Sequence, residues 1–240
     1  MKIIKVKNYD EMSEEALKLM LDVVKNNPRA VLGLATGSTP LGLYAKMIED
    51  HKNNGTSYAE CRAVNLDEYV GLDATSDQSY VYFMRENLFK HIDIKYENTH
   101  IENGKAIDKE AECARYNTLL GELPQDIQIL GIGSNGHIAF NEPGTSFDSV
   151  THIVDLAEST IKDNSRLFNS IDEVPRQAFT MGLSNIMNAK KIVVLANGEG
   201  KAYAIGELVN GEIREEIPAS ILRNHSDCIL ICDEAAGKYI

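Results

Sequence analysis

Residues 30–44 read AVLGLATGSTPLGLY, and this stretch decides the fold. Its first six residues are apolar throughout, apart from one glycine, as is typical of a strand buried on both faces of a parallel sheet. A short turn of Thr, Gly, Ser and Pro follows, and the next residues have the spacing of an amphipathic helix. Buried strand, turn and helix together form the repeating unit of an α/β protein.

The same alternation continues along the chain. Short apolar runs recur at residues 30–35, 63–66, 127–132, 192–196 and 229–231. Helical segments accompany them at residues 11–25, 41–51, 79–89, 109–120 and 201–208. The sequence therefore predicts an open, largely parallel, Rossmann-like sheet flanked by helices. Because no linker rich in Pro, Gly or Ser divides the chain, we expect one domain over residues 1–240, with an irregular flap at residues 145–177.

The composition narrows the functional classes. With 43% apolar and 25% charged residues, the chain has the balance of an ordinary globular protein. A formal net charge of −12 and the lack of a Lys/Arg run argue against nucleic-acid binding. Dispersed surface charge does not exclude an anionic ligand, because salt screens it beyond about 8 Å. No window approaches the ~18 apolar residues of a membrane span and no signal-peptide core is present, so we expect a cytoplasmic protein that binds no membrane.

The cysteines do not predict a metal site. Cys61, Cys113, Cys228 and Cys232 include no C-x2-C pair of the kind that binds zinc. Cys228 and Cys232 lie in an apolar run at even spacing, so both face one side of a strand. We expect buried free thiols and no bound metal.

Open α/β sheets bind ligands at the carboxyl ends of their strands, so the loops after the apolar runs are the candidate sites. The first loop is Thr36-Gly37-Ser38-Thr39-Pro40. Pro40 suits the first helical position and Thr39 the N-cap. Gly37 allows a ligand to approach the backbone, and the free N–H groups of the helix start favour phosphate. A capped helix without a ligand would show the same pattern.

The second loop contains two adjacent carboxylates, Asp67 and Glu68, at the end of an apolar run. Side chains alternate along a strand, so only one of the two can face a site. A carboxylate that is removed from water has a raised pKa and becomes a useful general base. A solvated acidic turn is the alternative interpretation.

The third loop, GIGSNGHIAFNEPGT at residues 131–145, joins a glycine-rich turn to ionisable groups. Its glycines, including Gly136, let the chain turn tightly and carry His137 over the end of the strand. A histidine side chain can donate and accept protons near neutral pH. Glu142 can fold back to hold one imidazole nitrogen, which leaves the other for a substrate. A structural or exposed histidine is the alternative.

Two basic residues add to these loops. Lys201 lies at the predicted start of a helix, where a lysine is favoured only by a nearby anion. Arg166, within the predicted flap, carries a guanidinium that pairs well with phosphate oxygens. Each would be an ordinary surface cation in the absence of such a ligand.

Together these stretches resemble one family, the glucosamine-6-phosphate deaminases, which are also called isomerases. The matching strings are LGLATGSTPLGLY, NLDEYVGL, SYVYFMRENLF, GIGSNGHIAFNEPG and the segment around Lys201, in order over most of the chain. The related 6-phosphogluconolactonases lack NLDEY and continue the glycine-rich turn differently from FNEPG. A lactonase-like hydrolase is the enzymatic alternative, and a non-catalytic sugar-phosphate sensor is the binding alternative.

The resemblance implies a reaction of amino-sugar catabolism, in which glucosamine 6-phosphate opens its ring, isomerises from aldose to ketose and loses ammonia to give fructose 6-phosphate. It implies no metal and no organic cofactor. Asp67 matches the base that moves a proton between C2 and C1. His137 would protonate the ring oxygen, with Glu142 orienting it and Asn135 beside it.

The resemblance also assigns the substrate-binding residues, which are Thr36, Gly37, Ser38, Thr39, Gly136, Arg166 and Lys201. Many relatives carry Asp at position 135, whereas Asn135 supplies no charge to stabilise a protonated His137. Longer relatives place basic residues for an activator at the positions of His152 and Val154. Because this chain has neither Arg nor Lys there, we expect no such activation. The oligomeric state is not predicted.

Overall fold

The computed structural model describes residues 1–156, 158, 161, 168 and 170–240. Within this described part, seven strands form one sheet in which every neighbouring pair is parallel. Their spatial order is β1 (Lys2–Val6), β10 (Cys228–Asp233), β9 (Ile192–Ala196), β6 (Ile127–Leu130), β2 (Val31–Leu34), β3 (Arg62–Asn65) and β5 (Thr99–His100). The predicted parallel sheet is therefore confirmed.

Helices cover both faces of this sheet. They are α1 (Tyr9–Asn26), α2 (Leu41–Asn54), α3 (Tyr80–Asn87), α4 (Lys109–Glu122), α5 (Leu183–Met187) and α6 (Ala202–Asn210). On one face α1, α2 and α3 contribute side chains such as Met12, Leu43 and Met84 to a buried cluster. On the other face α4 and α6 contribute Tyr116 and Ile205 to a second cluster. Burial on both faces explains why the inner strands are largely apolar, with Gln128 of β6 and Asn65 of β3 as buried polar exceptions.

The strand order reverses in the middle of the sheet, between β2 and β6. From β2 the chain continues outward through β3 and β5, whereas from β6 it continues in the other direction through β9 and β10. Ligands of such sheets bind in the crevice at this reversal, outside the carboxyl ends of the strands. The turns that follow β2 and β6 carry the sequences TGSTP and GSNGH, so the fold places both at the crevice.

A second, antiparallel sheet is not predicted by the sequence pattern. β4 (Asp67–Tyr69) begins one residue after β3 and pairs with β8 (Gln177–Thr180), which pairs in turn with β7 (His152–Asp155). Within residues 145–177, for which an irregular flap is predicted, β7 is a regular strand, and the flap itself stays a prediction. Residues 157, 159–160, 162–167 and 169 of the segment lie outside the described residues.

Smaller predictions about the core can also be compared with the structure. All of the cysteines are free and buried, and both Cys228 and Cys232 lie on β10 in the same core cluster, as predicted. The edge strand β1 is not predicted, because its residues are mostly exposed and form no long apolar run. No helix among the described residues combines the length and the apolar character needed to cross a membrane.

Candidate active site

A cavity of about 290 Å³ opens where β2 and β6 end. Its walls are formed by residues 35–39, 66–67, 80, 131–134, 137, 139–140 and 201. These segments follow different strands or lie at the starts of helices, and they are far apart in the sequence. The fold brings them together around one cavity. The cavity lies at the reversal point of the sheet, where the topology favours a ligand.

The turn after β2 forms one wall. Gly37 has a φ of +88°, a left-handed conformation that glycine adopts without steric cost. Helix α2 begins at Leu41, and Pro40 occupies the N-cap without a side-chain cap bond. The prediction of Thr39 as N-cap and Pro40 as first helical residue is therefore wrong by one position.

Tyr9 of α1 supplies a contact at this helix start. Its hydroxyl accepts the N–H of Gly42 at 2.7 Å and donates to the carbonyl oxygen of Ser38 at 3.0 Å. A Cβ at position 42 would lie 2.2 Å from Ser13 Oγ, so only glycine lets α1 and α2 approach this closely. Through the Tyr9 hydroxyl, helix α1 is tied to the backbone of the turn that lines the cavity.

Asp67 and Glu68 have different surroundings, as the alternation of side chains predicts. Asp67 lines the cavity but is only 7% exposed. Burial, with a smaller contribution from the Glu68 carboxylate, raises the pKa of Asp67 to about 8. An ionised carboxylate with such a pKa is a stronger base than an ordinary aspartate. The alternative of a solvated acidic turn is excluded by the burial of both residues.

Glu68 does not line the cavity and is 1% exposed. Its Oε1 accepts the N–H groups of Tyr69 at 2.8 Å and Tyr80 at 3.0 Å, and its Oε2 accepts that of Val81 at 3.0 Å. Burial raises the pKa of Glu68, whereas these three donors favour its charged form. The carboxylate thereby joins β4 to the first residues of α3.

Tyr80 is a cavity residue that the sequence pattern does not reveal. Its ring stacks on Phe140 with centroids 6.3 Å apart and lies 4.9 Å from the ring of Tyr69. Burial raises the pKa of its hydroxyl, and the side chains of Tyr69 and Thr36 lie close enough to influence that pKa. A signal does exist in the sequence, because Ser79 caps α3 and therefore marks a helix start near the crevice.

His137 reaches the cavity from the turn after β6. Its Nδ1 lies 3.5 Å from Glu142 Oε2, and the same oxygen accepts Asn135 Nδ2 at 2.9 Å. The backbone N–H of His137 donates to Asn135 Oδ1 at 3.1 Å. A Cβ at Gly133 would lie 2.4 Å from His137 Cε1, so this glycine gives the imidazole its place. Asn135 thus holds the backbone of His137, and Glu142 lies at ion-pair distance from an Nδ1 that has no hydrogen-bond partner among the described residues; both residues remain outside the cavity wall.

The same loop contains a strained residue. Ala139 lines the cavity and has a φ of 51°. Among the described residues, no other residue except glycine has a positive φ. A side chain in the left-handed region costs on the order of 1 kcal/mol, and such strain concentrates at functional sites. Because Ala139 lies between His137 and Phe140 in the chain, its backbone conformation affects the directions in which these two side chains point.

Lys201 lines the cavity from the start of α6. It closes the 3-10 turn Glu199–Lys201 and is the N-cap residue of α6, one position before the helical turn in which it is predicted. Gly198, at a φ of +84°, anchors this turn by donating its N–H to both carboxylate oxygens of Asp233 at 3.0 Å. A cation at a helix N-terminus is unfavourable unless an anion lies nearby, so the position fits a phosphate ligand.

The structure brings most of the predicted site residues together. The cavity wall contains Thr36, Gly37, Ser38, Thr39, Asp67, His137 and Lys201. Gly136 does not line the cavity: its N–H donates to the carbonyl of Gly133 within the turn, and its carbonyl accepts the N–H of the distant Ala219. Arg166 lies outside the described residues. Within the described part of the chain, no group of three or more His, Cys, Asp or Glu side chains is arranged to hold a metal ion.

The chain is similar to proteins of known activity. It matches the family described as glucosamine-6-phosphate isomerases/6-phosphogluconolactonase over residues 6–231. It is 50% identical over 241 residues to the glucosamine-6-phosphate deaminase of Clostridium perfringens (strain 13 / Type A), with 100% of both chains covered. It is also 50% identical over 237 residues to the glucosamine-6-phosphate deaminase of Geobacillus sp. (strain WCH70), covering 98% of this chain and 94% of the relative.

Solved structures show the same fold. A monomeric glucosamine-6-phosphate deaminase has a TM-score of 0.98 and 46% identity, with 100% of both chains covered. The 6-phosphogluconolactonase from Trypanosoma brucei has a TM-score of 0.82 at 19% identity, covering 100% of this chain and 98% of that one, which shows the fold alone. The family and fold class predicted from the sequence are confirmed. The chain belongs to the glucosamine-6-phosphate isomerase/6-phosphogluconolactonase family.

Proposed function

We propose that this chain catalyses the conversion of glucosamine 6-phosphate and water to fructose 6-phosphate and ammonium. One observation carries the proposal: Asp67 and His137 line the same small cavity as a helix-start turn and Lys201. Deaminase relatives that match the whole chain at 50% identity support the substrate. The chain is thus an enzyme of amino-sugar metabolism.

His137 serves the first step, the opening of the sugar ring. The C1–O5 bond breaks, the ring oxygen gains a proton from the imidazole, and the hydroxyl at C1 becomes the aldehyde by losing a proton, which restores the one that the imidazole gave up. Glu142, 3.5 Å from Nδ1, orients the ring and stabilises its positive charge. Asn135 holds Glu142 in turn through its side-chain amide.

Asp67 serves the isomerisation. In its ionised form it removes the proton from C2 and returns it to C1, while the amino group becomes an imine at C2. Water then adds to C2 and ammonia leaves, which gives the ketose. The reaction balances with the sugar phosphate and water alone. A base whose pKa lies near the working pH combines a useful ionised fraction with a strong pull on the proton.

The phosphate of the substrate binds at the part of the cavity wall formed by the turn after β2 and by Lys201. The backbone N–H groups of Ser38 and Thr39 lie at the start of α2, where the helix dipole favours an anion. Lys201 contributes a cation to the same cavity. Arg166 remains a predicted phosphate ligand.

The direct test is a coupled assay of ammonium release from glucosamine 6-phosphate. We expect ammonium and fructose 6-phosphate in equal amounts. The same preparation should be tested for hydrolysis of 6-phosphogluconolactone and for binding of the sugar phosphate. Lactone hydrolysis without ammonium would favour the hydrolase alternative, and binding without turnover would favour the sensor, and either result would overturn the proposal.

A cytoplasmic location, a single domain over residues 1–240 and a flap function for residues 145–177 remain predictions. The proposed substrate supports the first of these, because sugar phosphates carry a dianion that does not cross membranes freely.

A further inference from the structure

Glu68 is a buried charged group that the proposed reaction steps do not use. It lies next to Asp67 in sequence but outside the cavity wall. Its two oxygens accept three backbone N–H groups, and those of Tyr80 and Val81 belong to the first two residues of α3. N–H groups at a helix start have no partner within the helix, and a carboxylate there is favoured by the helix dipole.

A second cap shows that Glu68 does more than satisfy the helix end. Ser79 already caps α3 by accepting the N–H of Tyr82 at 3.1 Å. The Glu68 bonds instead connect this helix start to β4, whose neighbouring residue Asp67 faces the cavity. The distance between the base and the beginning of α3 is thereby fixed by one side chain.

Tyr80 is the residue on which this connection acts. It is the first residue of α3, and it lines the cavity together with Thr36 of the turn after β2. Its ring packs against both Tyr69 and Phe140, whose own ring centroids lie 5.9 Å apart. A shift of the Tyr80 backbone would therefore move one wall of the cavity.

We propose that Glu68 is a positioning residue that anchors the start of α3, and with it the Tyr80 ring, beside the carboxylate of Asp67. This inference rests on the proposed function, because it assumes that Asp67 is the base. A second consequence is electrostatic. The Glu68 carboxylate lies close enough to raise the pKa of Asp67, and its removal would lower that pKa.

Other ionisable groups face this pair and must be kept constant in a test. Glu102, after β5, is buried, and both of its carboxyl oxygens lack a hydrogen-bond partner. Burial raises the pKa of Glu102, and the charges of Asp67, Glu68 and Glu112 raise it further. The phenols of Tyr69, Tyr80 and Tyr116 also belong to these surroundings.

The test compares two variants with different chemistry. E68Q keeps the size of the side chain but removes its charge. Its amide NH2 group also replaces one of the two oxygens that accept backbone N–H groups, so at least one of these hydrogen bonds is lost. E68D keeps the charge but is one methylene shorter, so it reaches the start of α3 poorly. The measurements are ammonium release, kcat, KM and the pH dependence of kcat/KM.

We expect the acidic limb of kcat/KM, which reports ionisation of Asp67, to move to lower pH by about one unit in E68Q and to stay in place in E68D. We expect both variants to lose about tenfold in kcat/KM, because the cavity wall is displaced. The matched control is D93N. Asp93 also accepts a backbone N–H, that of Tyr58 at 2.6 Å, but does not line the cavity, so D93N should leave the pH profile unchanged.

The outcomes separate this inference from the proposed function. If the wild-type protein releases no ammonium, the proposed function fails. If the wild-type protein is active and both variants keep its pH profile and its kcat/KM, the inference about Glu68 is wrong. Should E68Q not fold, E68D decides alone: a loss of kcat/KM at an unchanged pH profile supports the positioning role, and wild-type kinetics overturn it.

Discussion

Burial makes the single residue Asp67 a stronger base, and the same burial lowers the free energy of unfolding at high pH. Its pKa rises from an ordinary value of 3.8 to about 8, first because it is buried and second because Glu68 is adjacent. The folded state therefore holds the proton more tightly than the unfolded state. Its contribution to stability is fully present below the unfolded pKa and is lost as the pH rises through the folded value.

Asp67→Asn should separate activity from stability. We expect kcat to fall about 10²- to 10⁴-fold, because a general base is lost. We expect the melting temperature to rise by at least about 2–4 °C near pH 9 and to stay unchanged near pH 4, because the neutral amide carries no charge to bury. Kinetics and thermal unfolding at both pH values provide the check. A variant that is equally stable or less stable near pH 9 would contradict the raised pKa.

Lys201→Ala should affect binding instead of chemistry. The phosphate is bound similarly in the ground state and in the transition state, so KM should rise about tenfold or more while kcat changes little. Steady-state kinetics on glucosamine 6-phosphate measure both parameters. If Lys201→Ala and Asp67→Asn changed kcat and KM in the same proportions, the two proposed roles would be wrong.

Asn135→Asp should change the proton chemistry around His137. Asn135 donates to Glu142 Oε2 at 2.9 Å, and an aspartate would replace this donor by a second negative charge. Like charges at this distance raise the pKa of one partner, and they also favour a protonated imidazole. We expect the pH profile of kcat to move while turnover is retained. An identical profile would show that position 135 takes no part in the proton transfers.

At the scale of elements, the predicted phosphate turn depends on a helix that is distant in sequence. Tyr9 of α1 bridges the carbonyl of Ser38 and the N–H of Gly42, and so joins the two ends of the turn. The turn has no side-chain cap from Thr39. The conformation offered to an anion is therefore set by packing between α1 and α2.

Tyr9→Phe should loosen the turn without touching the proposed proton-transfer residues. A hydrogen bond of this kind is worth about 1 kcal/mol, which corresponds to roughly a fivefold rise in KM with kcat nearly constant. Tyr203→Phe is the matched control, because Tyr203 is 56% exposed on α6. Kinetics that are the same for both variants would show that the Tyr9 hydroxyl does not support substrate binding.

At the scale of the whole molecule, a strongly negative protein forms a site that suits an anion. The net charge is −12, yet the cavity at the sheet's reversal combines a helix-start turn with Lys201. Surface charges more than about 8 Å away are screened at physiological salt, whereas groups within the cavity act at contact distance. Local geometry therefore outweighs the total charge.

Regulation by an activator sugar phosphate is not expected. His152 and Val154 lie on β7 in the second sheet, and the His152 Nδ1 is bonded to the carbonyl of Val150 at 2.8 Å. Neither residue offers the cation that a phosphate activator requires. N-acetylglucosamine 6-phosphate should leave the KM for the substrate within about twofold. A large drop in KM on its addition would prove this prediction wrong.

Much of the fold follows from local pattern. The inner strands are predicted because burial on both faces makes them largely apolar, and most helices because one face repeats along them. The two edge strands, β1 and β5, and the antiparallel sheet of β4, β8 and β7 are missed. β1 is mostly exposed, the other missed strands have two to four residues each, and β4 pairs with β8 more than a hundred positions later, so no local window contains the signal.

Local patterns in the sequence predict the inner strands of the sheet, the turns at its reversal point and the ionisable residues in those turns, and the longer matching strings identify the family. Side-chain alternation left open which of Asp67 and Glu68 faces the cavity, and the family resemblance favoured Asp67. Only the folded chain shows that Tyr80 lines the cavity and that Gly136 does not. The reason is that burial, pKa and contact depend on segments that are distant in the chain, whereas periodicity and turn chemistry depend on neighbours.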